Sequence, residues 1–154
     1  MPIDFDTLWT LATRQFALGD HSIHGPSHWR RVESNALWLA ERSGADVVVV
    51  RLFAVLHDSC RENDGRDREH GLRASEFAKT LRDPFLPISE EQFDLLTYAL
   101  IHHDRGQVSA DATIGTCWDA DRLDLTRCHM TPHPRFMSTE AGRIKAGGIS
   151  VSIS

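Results

Sequence analysis

Lysine is almost missing from this chain. It occurs only at Lys79 and Lys145, so nearly every positive charge is an arginine. With 17 basic against 22 acidic side chains the formal net charge is −5, which argues against general nucleic-acid binding by phosphate neutralisation. A small phosphorylated substrate remains open, because a guanidinium fork matches phosphate oxygens wherever arginines cluster locally. Cysteine is scarce too. Cys60, Cys117 and Cys128 are odd in number and fit no CxxC spacing, so a reducing compartment is expected rather than a disulfide framework. The start, MPIDFDTLW, has acidic residues where a secretory signal needs basic ones, and no apolar segment follows it. No apolar run approaches the roughly 20 residues of a membrane span. The expectation is a soluble, cytoplasmic protein without a membrane partner; homo-oligomerisation stays open.

Repeats, low-complexity tracts and linkers are absent as well. With 154 residues and 41% hydrophobic content, a single domain over residues 1–154 is expected. No alternating polar/apolar pattern recurs, and what remains is helical in period, so the fold class is all-α. The uncharged tail GGISVSIS (147–154) reads equally as a short strand, a disordered end or a docking segment.

Helix periods place the chemistry. A first helix runs from about Phe5 to Leu18 and stops at Gly19-Asp20. After the breaker-rich GDHSIHGPS, Pro26 suits a first helical position with Ser27 as an alternative cap. Val32, Ala36, Leu39 and Ala40 then form an inward stripe that His28 joins from its N-terminal end. About Ala45 to Asp58 is apolar nearly all round except Arg51, as in the central helix of a bundle, although VVVV alone favours a strand. About Asp67 to Leu81 has Ala74, Phe77, Ala78 and Leu81 inward, with His70 one turn before them. RDPFLPIS reads as a loop ending in the cap Ser89. From Glu90, Phe93, Leu96 and Leu100 form a stripe that His103 continues, while His102 follows Leu95, Tyr98 and Ala99. Spacing alone does not separate the two histidines. ATIGTCWDADRLDL looks like a further helix, and RCHMTPHPRF like a Pro-rich loop that could rim a pocket, with His129 and His133 on the surface.

His28, His57-Asp58, His70 and at least one of His102 and His103 therefore fall on core-facing stripes, with Asp121 on a segment of similar character. Each alone has an ordinary reading as a hydrogen-bonded interior residue, and about one His-Asp dipeptide is expected by chance from 9 His among 154 residues. Together, buried imidazoles and carboxylates are costly unless paired or bound to a cation, and they are the ligand set of a divalent-metal site. An apolar helix ending in two ligands would hold them rigidly.

HGPSHWRRV, AVLHDSCRE and WDADRLDL, in this order and at these separations, resemble the HD-domain metal-dependent phosphohydrolases over roughly Ser22 to Thr126. The resemblance implies an all-helical HD-domain bundle and a divalent ion, with Mn, Fe, Co, Ni, Zn and Mg not distinguished, held by His28, His57, Asp58 and Asp121. His24 would be the non-ligand member of its motif, and Asp119 a supporting group or helix cap. EHGLRASEF and ALIHHD sit where some members carry extra histidines, so His70, His102 and His103 would hold a second ion or touch the substrate phosphate. Asp58 would also orient the attacking water. Arg61 is a candidate phosphate contact and Glu62 a candidate general base, whereas Arg31 is assigned a structural ion pair. Where related nucleotidases carry an acid three positions after the ligand Asp, this chain has Arg61. The implied reaction is metal-dependent hydrolysis of a small phosphate ester, nucleotides included. The alternatives are an HD-fold di-iron oxygenase, which shares the six-ligand pattern, and a helical binding module without chemistry.

Overall fold

The structure, a computed structural model, describes residues 2–147; apart from Gly147, the GGISVSIS tail lies outside the described residues. Those residues fold into seven α-helices and two short 3-10 turns, with no strand among them. Local chemistry sets most boundaries. Helix α1 (Phe5–Gln15) starts where the Asp4 carboxylate accepts the Thr7 N–H. Helix α2 (Pro26–Ser43) has Pro26 in its first turn and ends at Gly44, whose φ of 77° is the left-handed conformation that glycine tolerates best. Helix α3 (Val47–Leu56) is capped by Asp46, so the four valines are helical despite their strand preference. Helix α5 (Glu90–His102) begins in a reciprocal capping box between Ser89 and Gln92. Helix α6 (Ala112–Arg122) is capped by Asp111.

Several boundaries differ from the sequence expectation, beginning with α1, which ends at Gln15 rather than Leu18. Helix α3 closes at Leu56, so His57 and Asp58 stand just past its last regular turn. Helix α4 (His70–Phe85) starts three residues late, and its run through Phe85 includes a break where Asp83 leaves helical φ/ψ. The stretch after α6 is more ordered than a plain loop: 3-10 turns at Leu125–Cys128 and Pro134–Phe136 lead into α7 (Glu140–Lys145). Asp119, buried in α6, organises this return. Its carboxylate accepts the N–H groups of Ser138 and Thr139 at 2.7 and 2.8 Å and the Thr139 hydroxyl at 2.7 Å.

Helix α3 is the axis of the bundle, with Leu52 through Leu56 fully buried and α1, α2, α5 and α6 packed around it. Trp29, Trp118 and Phe53 are the largest fully buried side chains in that core. Helix α4 packs on α5 instead, and the two lie close at Gly71, where an added Cβ would collide with the Leu100 and Ile101 carbonyl oxygens. No helix among the described residues is long and apolar enough to cross a membrane.

Gly71 gives a test of sign. In an open helix Gly→Ala stabilises by about 0.5–1 kcal/mol. Here the steric conflict is with backbone, which cannot rotate away, so Gly71→Ala should instead destabilise by roughly 1–3 kcal/mol. Urea unfolding decides this, and a variant more stable than the parent would contradict the close α4–α5 contact.

Candidate metal centre

Five segments deliver their polar side chains to one buried point. His28 comes from the first turn of α2, His57 and Asp58 from the end of α3, and His70 from the start of α4. His103 follows the last residue of α5, and Asp121 lies near the end of α6. His57 is completely buried and Asp58 is 2% exposed. One oxygen of Asp58, Oδ2, lies 3.2 Å from His28 Nε2 and 3.6 Å from His57 Nε2. The other, Oδ1, lies 3.2 Å from His70 Nε2 and 3.4 Å from His103 Nε2. Asp121 Oδ1 completes the first side, 3.1 Å from His28 Nε2 and 3.3 Å from His57 Nε2. Two groups able to hold an ion result, His28/His57/Asp58/Asp121 and Asp58/His70/His103, with Asp58 common to both.

The tautomers follow from the outer hydrogen bonds. A carbonyl can only accept, so each Nδ1 facing one must carry the proton. His57 Nδ1 donates to the carbonyls of Ala54 at 3.0 Å and Phe53 at 3.2 Å, and His103 Nδ1 to that of Leu100 at 2.7 Å. His70 Nδ1 donates to the Asp67 carbonyl. In the neutral rings Nε2 is then a bare lone pair. Yet His28 and His57 bring their Nε2 atoms to 3.0 Å of each other, and His70 and His103 to 2.9 Å. Two lone pairs at that distance repel unless a proton or a metal ion lies between them. Asp58 Oδ2 and Asp121 Oδ1 are buried and have no hydrogen-bond partner. Orphaned carboxylate oxygens among inward lone pairs are what a divalent cation satisfies. The donor set fits a metal.

The charges agree. Burial opposes ionisation of Asp58, but His57, His103, His24 and His28 hold its carboxyl well below the usual range. Burial likewise opposes, and His57 and His28 overcome, for Asp121. Without a metal, burial disfavours a proton on His28, but Asp121, Asp124 and Asp58 outweigh it and raise the imidazole to about 10. The site demands positive charge, supplied by a proton when no cation is there.

Around the ligands sits a supporting layer that the sequence analysis identified only in part. Asp124 accepts His28 Nδ1–H at 2.7 Å and receives Arg31 Nε at 2.8 Å. The acid that Arg31 pairs with is thus the one that aims His28. No spacing rule links residues 93 apart. His24 is buried beside the cluster, its Nδ1 3.4 Å from Asp58 Oδ2, while its Nε2 donates to the Asp64 carbonyl. Arg127 was also missed. Its Nη2 lies 3.7 Å from Asp121 Oδ1, and its buried Nε has no hydrogen-bond partner. Arg61 faces it from the other side, its Nε 3.5 Å from Asp58 Oδ1 and likewise without a hydrogen-bond partner.

Two candidates are not brought to the centre. Glu62 points away: its side chain is 70% exposed and pairs with Arg73 at 3.5 Å, which removes it as general base. His102 turns outward onto Tyr98, with ring centroids 4.5 Å apart, because α5 ends there and only His103 continues its buried face. His102 is therefore withdrawn both as a second-ion ligand and as a substrate contact. His129 and His133 are exposed, and Asp119 caps the backbone of the α7 entry rather than facing the ligands. Of the thiols, Cys60 and Cys117 are pushed up by burial, so neither is an activated nucleophile.

A cavity of about 400 Å³ opens onto the cluster, with Arg61 and Arg127 near the ligands and Leu125, Met130 and Phe136 on an apolar wall. The Pro-rich segment after α6 does rim the pocket.

Because Asp124 orients His28, Asp124→Ala should weaken metal binding by about 10–100-fold, as losing a carboxylate behind a ligating histidine does elsewhere. Glu62→Ala should leave it unchanged; equal losses in competition titrations against a chelator would overturn this division. Metal binding should also follow pH. The metal takes neutral His28, whose metal-free form keeps its proton up to about pH 10. Uptake near neutrality should therefore release a proton, and affinity should fall as pH falls. Calorimetry in buffers of different ionisation enthalpy measures that proton, and no buffer dependence would contradict it.

No family model matches the sequence, and no curated protein matches it. Among solved structures the chain is similar to the crystal structure of a predicted HD superfamily hydrolase from an uncultured Thermotogales bacterium. The match has a TM-score of 0.75 and 25% identity over 94% of this chain and 83% of that one. The chain therefore resembles the HD superfamily in two respects, a helical fold shared over nearly its whole length and a buried His/Asp cluster able to hold metal.

Proposed function

We propose that this protein is a divalent-metal-dependent phosphohydrolase acting on a small phosphate ester, nucleotides included. One observation carries the reading: the two arginines whose buried Nε atoms have no hydrogen-bond partner, Arg61 and Arg127, flank a His/Asp cluster fitted to a cation. The name of the structural neighbour, a predicted HD superfamily hydrolase, supports hydrolysis in general, and the arginines supply the argument for phosphate. His28, His57, Asp58 and Asp121 would hold the ion, and His70 and His103 with Asp58 a second. A divalent ion held there would lower the pKa of water and polarise a phosphoryl oxygen.

The chain's own groups do the rest. Arg61 and Arg127 offer planar donors to the non-bridging phosphoryl oxygens from opposite sides of the cluster. Nη1 of Arg61 donates to the Gly65 carbonyl at 2.9 Å, which fixes the guanidinium against the turn that follows Asp58. With Glu62 turned away, proton handling falls to His24 Nδ1, 3.4 Å from the ligand oxygen Asp58 Oδ2. His24 Nε2 donates to the Asp64 carbonyl at 3.1 Å, which leaves Nδ1 as the acceptor side of the ring, 3.5 Å from Arg127 Nη2. Leu125, Met130 and Phe136 would shelter the organic part of the ester from water.

A carboxylate shared by two histidine groups also suits a di-iron oxygenase, and that second reading rests on this feature alone. The two separate cleanly. A hydrolase releases phosphate from a generic aryl phosphate with manganese under anaerobic conditions. An oxygenase needs iron and consumes dioxygen. Asp58→Ala should abolish metal content and phosphate release together, whereas Arg127→Ala should lower phosphate release by about 10²-fold with metal retained. Full phosphate release by Arg127→Ala would remove the arginine argument.

A further inference from the structure

Beside the metal-centre cavity lies a second one, of about 490 Å³, and the two share Arg61 and Asp104 as a common wall. Arg66, Arg68 and Arg105 line the remainder with Asp67 and Glu69. Of the three carboxylates there, Asp67 is engaged elsewhere, both its oxygens lying 2.7 Å from Arg73 Nη2, while Asp104 Oδ2 stands 3.6 Å from His70 Nδ1 and Glu69 pairs with none of the arginines. Among the described residues, no carboxylate lies within 4.0 Å of the charged nitrogens of Arg66, Arg68 or Arg105, and none of the three donates a side-chain hydrogen bond. Three uncommitted guanidiniums therefore converge on one concavity in a chain of net charge −5. Like charges gathered this way repel one another, and a multiply charged anion relieves the repulsion. A single carboxylate offers one charge and two oxygens to three forks; a phosphate offers more of both.

We infer that the substrate carries a second phosphate, held by Arg66, Arg68 and Arg105 across the Arg61 partition while its reacting phosphoryl group faces the metal ligands. This rests on the phosphohydrolase reading and narrows it from phosphate esters at large to diphosphates and longer. The apolar wall of Leu125, Met130 and Phe136 belongs to the inner cavity alone. The molecule therefore lies with its organic part inside and its further phosphate outside. A simple monoester has nothing to place in the outer cavity.

Adenosine 5′-monophosphate and adenosine 5′-diphosphate, titrated calorimetrically into protein in excess manganese, test this with one nucleoside and two phosphate counts. The diphosphate should bind at least about tenfold more tightly, the gain of one good charge-assisted contact. In R66A/R68A/R105A the ratio of the two affinities should fall to near one. The charge-matched variant R14A/K79A/K145A should keep it. The preference should also shrink as salt rises, because these guanidiniums are exposed. Equal binding of the two nucleotides, or a preference that survives in R66A/R68A/R105A, overturns the inference and leaves the phosphohydrolase reading standing. If neither nucleotide nor inorganic phosphate binds, both fall together.

Discussion

A carboxylate buried in a protein interior is tolerable only if positive charge meets it, and Asp58 meets that requirement through four imidazoles from four helices. Each oxygen faces its own pair of Nε2 lone pairs, so one side chain ties the α2–α3 end of the bundle to the α4–α5 end. Without a cation the His70/His103 side sets lone pair against lone pair, and the His28/His57 side is held together only by a proton on His28. The bundle must hold these groups together against their own repulsion. It does so with the fully buried apolar stretch Leu52 to Leu56, whose packing fixes the direction in which His57 and Asp58 emerge.

Helix ends do the aiming. The last carbonyls of a helix have no partner within it. His57 and His103 sit where α3 and α5 run out, and each turns its Nδ1–H back onto those carbonyls, leaving Nε2 to point inward. His70, at the start of α4, does the same with the Asp67 carbonyl, and His28 uses Asp124. For His57 and His103 the same bonds satisfy the helix termini and set the tautomers, so their geometry follows from ordinary helix termination. Gly71 lets α4 approach α5 closely enough for His70 to reach His103.

Much of the centre was legible in sequence because its residues sit on helices. His28, His57, Asp58, His70 and Asp121 lie in phase with apolar stripes, and a helix of known phase places a side chain inward or outward reliably. Phase failed at helix ends. His102 and His103 both border an apolar stripe, and only the termination of α5 decides that His103 faces Asp58 while His102 lies on Tyr98. It failed again in RENDG, where no periodicity exists: Arg61 folds back over the ligands and Glu62 swings out to Arg73. Asp124 and Arg127 carried no signal, since their partners lie far away in the chain.

The sequence by itself determined the all-α class, the apolar axis, the cap at Ser89 and the inward set that suggests a cation. These are local properties, governed by helical period and by which side chains satisfy free N–H groups. Only the tertiary structure decided that Asp58 is shared by two histidine groups, that Arg31 acts through Asp124, and that two arginine-bearing cavities meet at Arg61. Those depend on distances between residues remote in sequence, which packing of whole helices sets and no local pattern encodes.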